Sequence, residues 1–105
     1  KRQMANRRMI KFVQIGNTVF TLRDVSPGVA EFHTFTVEPV PTLIQRYRTA
    51  MNTAKEMGYK KLVSYSTSPA FNKIAQETGL PVKISQSQQI INGKAVPAFQ
   101  YEVTV

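Results

Sequence analysis

The stretch Pro39-Val40-Pro41-Thr42-Leu43-Ile44-Gln45-Arg46-Tyr47-Arg48-Thr49-Ala50-Met51-Asn52-Thr53-Ala54-Lys55-Glu56-Met57-Gly58 decides how this chain folds. Its two prolines stop the strand before them, because proline has no N–H to give a ladder. From Thr42, read as the N-cap, apolar side chains recur at Leu43, Tyr47, Ala50, Met51, Ala54 and Met57. Spacing of three and four sets them on one stripe of a helix. Gly58 falls where a left-handed C-cap belongs, so the helix is predicted over 42–57.

Upstream, Met9 to Ile15 and Thr18 to Arg23 are β-rich runs around a Gly16-Asn17 turn, a hairpin signature. After Ser26-Pro27-Gly28, the run Val29 to Glu38 alternates, with His33, Phe35 and Val37 on one face and Ala30, Phe32 and Thr34 on the other. The three runs make an antiparallel meander. Downstream, Lys60 to Ser66 reads as a strand, and Ser68 with Pro69 opens a second helix whose apolar stripe is Phe71, Ile74 and Ala75, ending at Gly79. Strand, helix, strand in that order implies a parallel crossover. The last hairpin turns at Asn92-Gly93, which sets Val82 opposite Val103, Ile84 opposite Tyr101 and Gln86 opposite Phe99. Pro97 cannot donate to a ladder, so a frayed or bulged tip is expected. The element order is β-β-β-α-β-α-β-β.

The chain has 105 residues, 42% hydrophobic and 19% charged, which suits one small globular domain. No run has the length and apolarity of a membrane span, and no secretory signal is evident, so a soluble chain without a membrane partner is expected, cytoplasmic or virion-associated. With no cysteine and one histidine, thiolate metal sites, cysteine nucleophiles and paired-imidazole sites are excluded, and six scattered carboxylates give no metal cage. The net charge is +8. Lys1, Arg2, Arg7, Arg8 and Lys11 stand among the first eleven residues with no acid between them. Residues 1–8 therefore read as a basic lead-in, the end of a helix or unstructured, before a domain over 9–105. Such a cluster attracts phosphate backbones without regard to sequence, so these five bases are the nucleic-acid candidates, with solubility as the plainer reading.

Several strings resemble the GNAT acetyltransferase superfamily: Val37-Glu38-Pro39 at a strand end, Lys55-Glu56-Met57-Gly58-Tyr59-Lys60-Lys61-Leu62 closing the long helix, and Ser68-Pro69-Ala70-Phe71-Asn72-Lys73-Ile74-Ala75-Gln76-Glu77-Thr78-Gly79-Leu80. The last is similar to the family's N-P-x-A-x-x-L-Y-x-x-x-G-F segment. The resemblance implies an α/β fold: a single GNAT-like domain with two helices on a mixed, mostly antiparallel sheet, lacking the usual first strand and first helices. It also implies acetyl coenzyme A chemistry, resting on an R/Q-x-x-G-x-G/A loop whose glycines bring backbone N–H groups to the pyrophosphate. Aligned on Gly58, Pro39-Val40-Pro41-Thr42-Leu43 lies over that loop without a glycine; aligned instead on Gln45-Arg46-Tyr47-Arg48-Thr49-Ala50, the first and last positions match but Arg48 replaces the central glycine; and the family's proton-donating tyrosine falls at Ala75.

Two side chains are the catalytic candidates, His33 as a general base and Glu38 at the strand end. For His33, a strand face shared with Phe35 and Val37 points to a partly buried residue instead. Gln45, Arg46 and Arg48 are the cofactor-binding candidates, a basic patch able to hold phosphate by side chains, against a plain solvated helix face. The aromatic residues Phe12, Phe20, Phe32, Phe35, Tyr47, Phe71, Phe99 and Tyr101 fit apolar stripes, so no base-stacking platform is expected. The reading is a degenerate acetyltransferase-like domain, without cofactor, that serves as a binding or structural module for nucleic acid or another protein. The resemblance extends to small phage proteins of this kind, implying a bacteriophage virion or host-takeover role. The alternatives are an active acetyl-CoA-dependent N-acyltransferase and a non-specific nucleic-acid-binding module.

Overall fold

Gly16 closes the first hairpin at φ +61°, a left-handed conformation that costs an L-residue about 1–2 kcal/mol. Around it, in a computed structural model that describes residues 10–105, β1 (Ile10–Ile15) pairs antiparallel with β2 (Thr18–Ser26), and β2 with β3 (Val29–Thr36). There follow α1 (Val40–Glu56), β4 (Lys61–Ser66), α2 (Ala70–Glu77), β5 (Val82–Ile91) and β6 (Lys94–Thr104). The six-stranded sheet runs β1-β2-β3-β4-β6-β5. The expected lead-in over 1–8 lies outside the described residues.

α1 begins at Val40, two residues before the position expected from Thr42. Pro39, extended at ψ 159°, is the N-cap and its carbonyl accepts from the Leu43 N–H, so Pro41 sits in the first turn, where a missing N–H breaks no helical bond. The stripe Leu43, Tyr47, Ala50, Met51 and Ala54 is buried as expected, but Met57, the C-cap residue, is exposed. Gly58 follows at φ +100°. β2 runs three residues beyond Arg23, through a register shift between Asp24 and Ser26, and β3 stops two residues short of Glu38.

The stripe of α1 packs on Phe20, Leu22, Ala30, Phe32, Leu62 and Val103, all on one sheet face. The Tyr47 ring meets Phe20 and Phe32 edge-on, at centroid distances of 5.3 and 6.4 Å. α2 lies on the same face, where its Asn72 Oδ1 accepts from the Tyr101 hydroxyl at 2.6 Å. No described helix covers the other face. There Phe12 and Phe35 are 70% and 61% exposed, which corrects the expectation that every aromatic fills an apolar stripe.

In the carboxy-terminal half β4 and β5 run parallel across α2, as the strand, helix, strand order implied, with β6 between them and antiparallel to both. The last hairpin corrects the expectation of a frayed or bulged tip, because it keeps its register through Pro97, which faces Gln88. Pairs alternate in hydrogen bonding from the bonded Ile91 and Lys94, so Pro97 occupies a non-bonded position and its nitrogen points away from β5. On that side β4 has already ended, its last residue Ser66 facing Phe99, so no ladder bond is lost.

Candidate functional site

β3 and β4 pair in parallel at only three positions, Val29 with Lys61, Ala30 with Leu62 and Glu31 with Val63. Beyond them the strands part. β3 continues to Thr36 and β4 to Ser66 with no bond between them, opening a cleft of about 200 Å³. The sequence pattern has the same break: Leu62 fills the helix-facing position of β4 by burying its side chain, whereas Ser64 and Ser66, next on that face, are small and polar. With Thr34, Tyr47 and Tyr101 they give the cleft a hydroxyl-rich wall.

Tyr47 holds one lip in place by donating its phenolic hydrogen to Thr34 Oγ1 at 2.9 Å. Burial pushes its pKa up, as it does for Tyr101, so both phenols are donors rather than bases at neutral pH. Phe71 and Ile74 of α2 close the cleft on the helix side. Among the described residues no carboxylate lines it.

His33 stands at the cleft's outer lip on the uncovered face, its side chain half exposed, rather than partly buried as its neighbours suggested. Its Nε2 lies 3.3 Å from Glu31 Oε2, and Glu31 also accepts from Arg23. Glu38 is elsewhere, on the β2 side of α1. Its Oε1 accepts from Arg46 Nε at 3.0 Å and Thr18 Oγ1 at 2.5 Å, and its Oε2 from Arg46 Nη2 at 2.9 Å. The Arg46 hydrogen bonds, with that of Thr18, lower its pKa to about 2. An ionised carboxylate so engaged is a poor proton acceptor. Two residues that the sequence offered for different tasks are thus each other's partners, and their ion pair ties α1 to the β1–β2 turn. The Arg46 guanidinium lies where a side chain at Gly16 would stand.

Gln45, Arg46 and Arg48 do not converge. Arg46 serves Glu38, whereas Arg48 donates from Nε to the Thr78 carbonyl at 2.8 Å and from Nη2 to that of Glu77 at 3.4 Å, at the carboxyl end of α2. Gln45 is exposed. Lys11 donates to the Tyr59 hydroxyl at 3.0 Å with its Nζ 5.0 Å from the ring centroid, and Tyr59 donates to Asp24. Lys1, Arg2, Arg7 and Arg8 lie outside the described residues. Among the described residues no group of His, Asp and Glu side chains is arranged to hold a metal, and no helix is long and apolar enough to cross a membrane.

The strand order, the parting of two central strands and the helix whose Tyr47 and Met51 line the cleft can be compared with solved structures. An acetyltransferase of Bacillus subtilis in complex with CoA superposes with a TM-score of 0.64 at 15% identity, covering 95% of this chain and 78% of that one. The fold is that of the GNAT acetyltransferases. An IAA acetyltransferase from Bacillus cereus gives 0.64 at 18% identity over 95% of this chain and 79% of its own. A chimera of the Vibrio cholerae spermidine N-acetyltransferase gives 0.71 at 12% over 96% and 69%. This chain spans 63% of another structure of that Vibrio enzyme. No family model and no curated protein matches the sequence.

The GNAT fold raises the question of acetyl coenzyme A. At the start of α1, where a pyrophosphate would meet backbone donors, Pro39 and Pro41 have no N–H, the Leu43 N–H is bound to the Pro39 carbonyl, and no glycine occurs between Thr36 and Met57. Only Val40 and Thr42 have N–H groups to offer there.

Proposed function

We propose that this chain is a binding module on a GNAT-like fold that does not transfer acetyl groups. The start of α1 carries this reading. A pyrophosphate held at a helix start needs several converging N–H groups and closely approaching backbone. Two prolines flanking Val40, and a bulky side chain at every position where the family brings glycine, do not fit it. The residues nearby do not substitute for them, since Arg46 neutralises Glu38 and Arg48 caps α2. The cleft supports the same reading. Apart from His33 at the lip, its polar side chains are hydroxyls that donate and accept hydrogen bonds, and among the described residues no carboxylate lines it to take a proton from an amine.

One observation favours the active acyltransferase as the second reading: the cleft between β3 and β4 is open, and His33 stands at its lip. Calorimetric titration of the 105-residue chain with acetyl coenzyme A, alongside an assay for free thiol release in the presence of amines, separates the two. The binding module gives no saturable heat at micromolar ligand and no release above the uncatalysed rate. Micromolar binding with turnover that His33→Ala abolishes would establish the enzyme.

A further inference from the structure

The cleft between β3 and β4 holds its polar groups in a form that selects a ligand. Its apolar walls include Phe32, Met51, Phe71, Ile74, Leu80 and Val82, and among the described residues no lysine, arginine, aspartate or glutamate lines it. An ion entering it would lose hydration and meet no opposite charge. His33 stands outside this wall, at the lip, with its Nε2 3.3 Å from Glu31 Oε2. The interior therefore suits a neutral molecule.

The hydroxyls divide into those already engaged and those left over. Thr78 Oγ1 donates to the Ala75 carbonyl at 2.7 Å and accepts from the Leu80 N–H at 3.2 Å, and Ser66 Oγ accepts from the Ser68 N–H at 3.0 Å. These hydroxyls serve the chain itself. Tyr101 gives its hydrogen to Asn72 Oδ1 at 2.6 Å, and Tyr47 gives its own to Thr34 Oγ1 at 2.9 Å. Each phenol oxygen keeps an accepting lone pair and has no hydrogen left, so it can meet only a donor. Size sets the other limit. The cleft, at about 200 Å³, exceeds the roughly 150 Å³ apolar cavity that takes up benzene and falls short of the roughly 300 Å³ at which drug-sized sites begin.

From these observations we propose that the cleft binds an uncharged compound of about one ring, whose hydroxyl or N–H donates to the phenol oxygens that Tyr47 and Tyr101 leave free. The inference rests on the binding-module reading of the same fold, and the two can fail separately. Turnover of acetyl coenzyme A would overturn that reading, whereas the alcohols below decide this one whether or not the coenzyme is used.

The test is titration of the full chain at pH 7 with 4-methylphenol and with cyclohexanol, followed by backbone amide resonances. Both should give saturable shifts at Ser64 and Ile74, with half-saturation for 4-methylphenol at or below about 1 mM, within reach of a ligand of about eight non-hydrogen atoms. para-Xylene has the same shape without the hydroxyl, and should bind at least about tenfold more weakly because it leaves the phenol oxygens unmet. 4-Methylbenzoate, which is charged, should not saturate. Tyr47→Phe combined with Tyr101→Phe should remove the preference for 4-methylphenol over para-xylene while leaving para-xylene itself unchanged. Ala75→Leu, which fills the cleft from α2, should abolish all binding, with circular dichroism confirming that both variants are folded. Absence of saturable shifts with both alcohols would overturn the proposal. So would 4-methylbenzoate or para-xylene binding as tightly as 4-methylphenol, or a preference that survives loss of the two phenols in folded protein.

Discussion

The two faces of the sheet carry similar residues and meet different fates. Phe20 and Phe32 point toward the helices and are 2% and 6% exposed, whereas Phe12 and Phe35, on the same three strands, point the other way and are 70% and 61% exposed. Alternation along a strand separates the faces but does not tell which one is covered. Here the helices decide it, since the stripe of α1 and the Asn72 side of α2 dock on one side only.

Substitutions that treat the two faces alike should break that contrast most sharply. Met51→Asp places an unpaired charge under α1, at a residue 4% exposed, and should cost above about 4 kcal/mol, a large share of a stability of about 5–15 kcal/mol, so the cooperative unfolding transition should be lost or fall to far lower urea. Phe35→Asp on the bare face should shift urea stability by less than about 0.5 kcal/mol. Equal losses would mean that something covers both faces.

A smaller effect is expected at the turn that anchors α1. Gly16→Ala forces a side chain into a φ of +61° and against the Arg46 guanidinium, and should cost about 1–2 kcal/mol in a urea titration. The same change in an Arg46→Ala background should cost less, because the two groups share one space.

The ion pair beneath that turn has a pH signature. Glu38 titrates at about 2 when folded, against an ordinary value of 4.5, so its contribution to stability is complete above 4.5 and is lost as pH falls from there towards 2. Glu102, lowered by Lys61, adds to the same acid loss. A urea midpoint followed from pH 7 to 2 should therefore fall, and should fall less steeply in Glu38→Gln. An unchanged slope would show that the pair with Arg46 contributes nothing to acid stability. Arg48→Ala, which removes the cap on the α2 carbonyls, should have the smallest effect, about 0.3–1 kcal/mol by thermal melting.

The elements were legible in the sequence because their signals are local. The stripe from Leu43 to Ala54, Gly58 at the helix end and Asn92-Gly93 at the hairpin each state a conformation within a few residues, and the register of Val82 with Val103 follows from the turn alone. The candidate site was less legible because its partners are distant in sequence. Nothing near Glu38 announces Thr18, and nothing near Arg48 announces the carbonyl of Thr78, thirty residues later. A local signal for the cleft did exist in Ser64 and Ser66, two small polar residues where β4 should continue the apolar face of Leu62. Pro97 misled because a proline's effect depends on which side of the strand its nitrogen faces, which only the neighbouring strand's length decides.

The proposed loss of the phosphate cradle can be followed through backbone amide resonances during titration with acetyl coenzyme A. Val40 and Thr42, the two donors left at the start of α1, should show no saturable shift at micromolar ligand. Saturation of those two amides together with Ser64 and Ser66 would place the cofactor from helix start to cleft and contradict it.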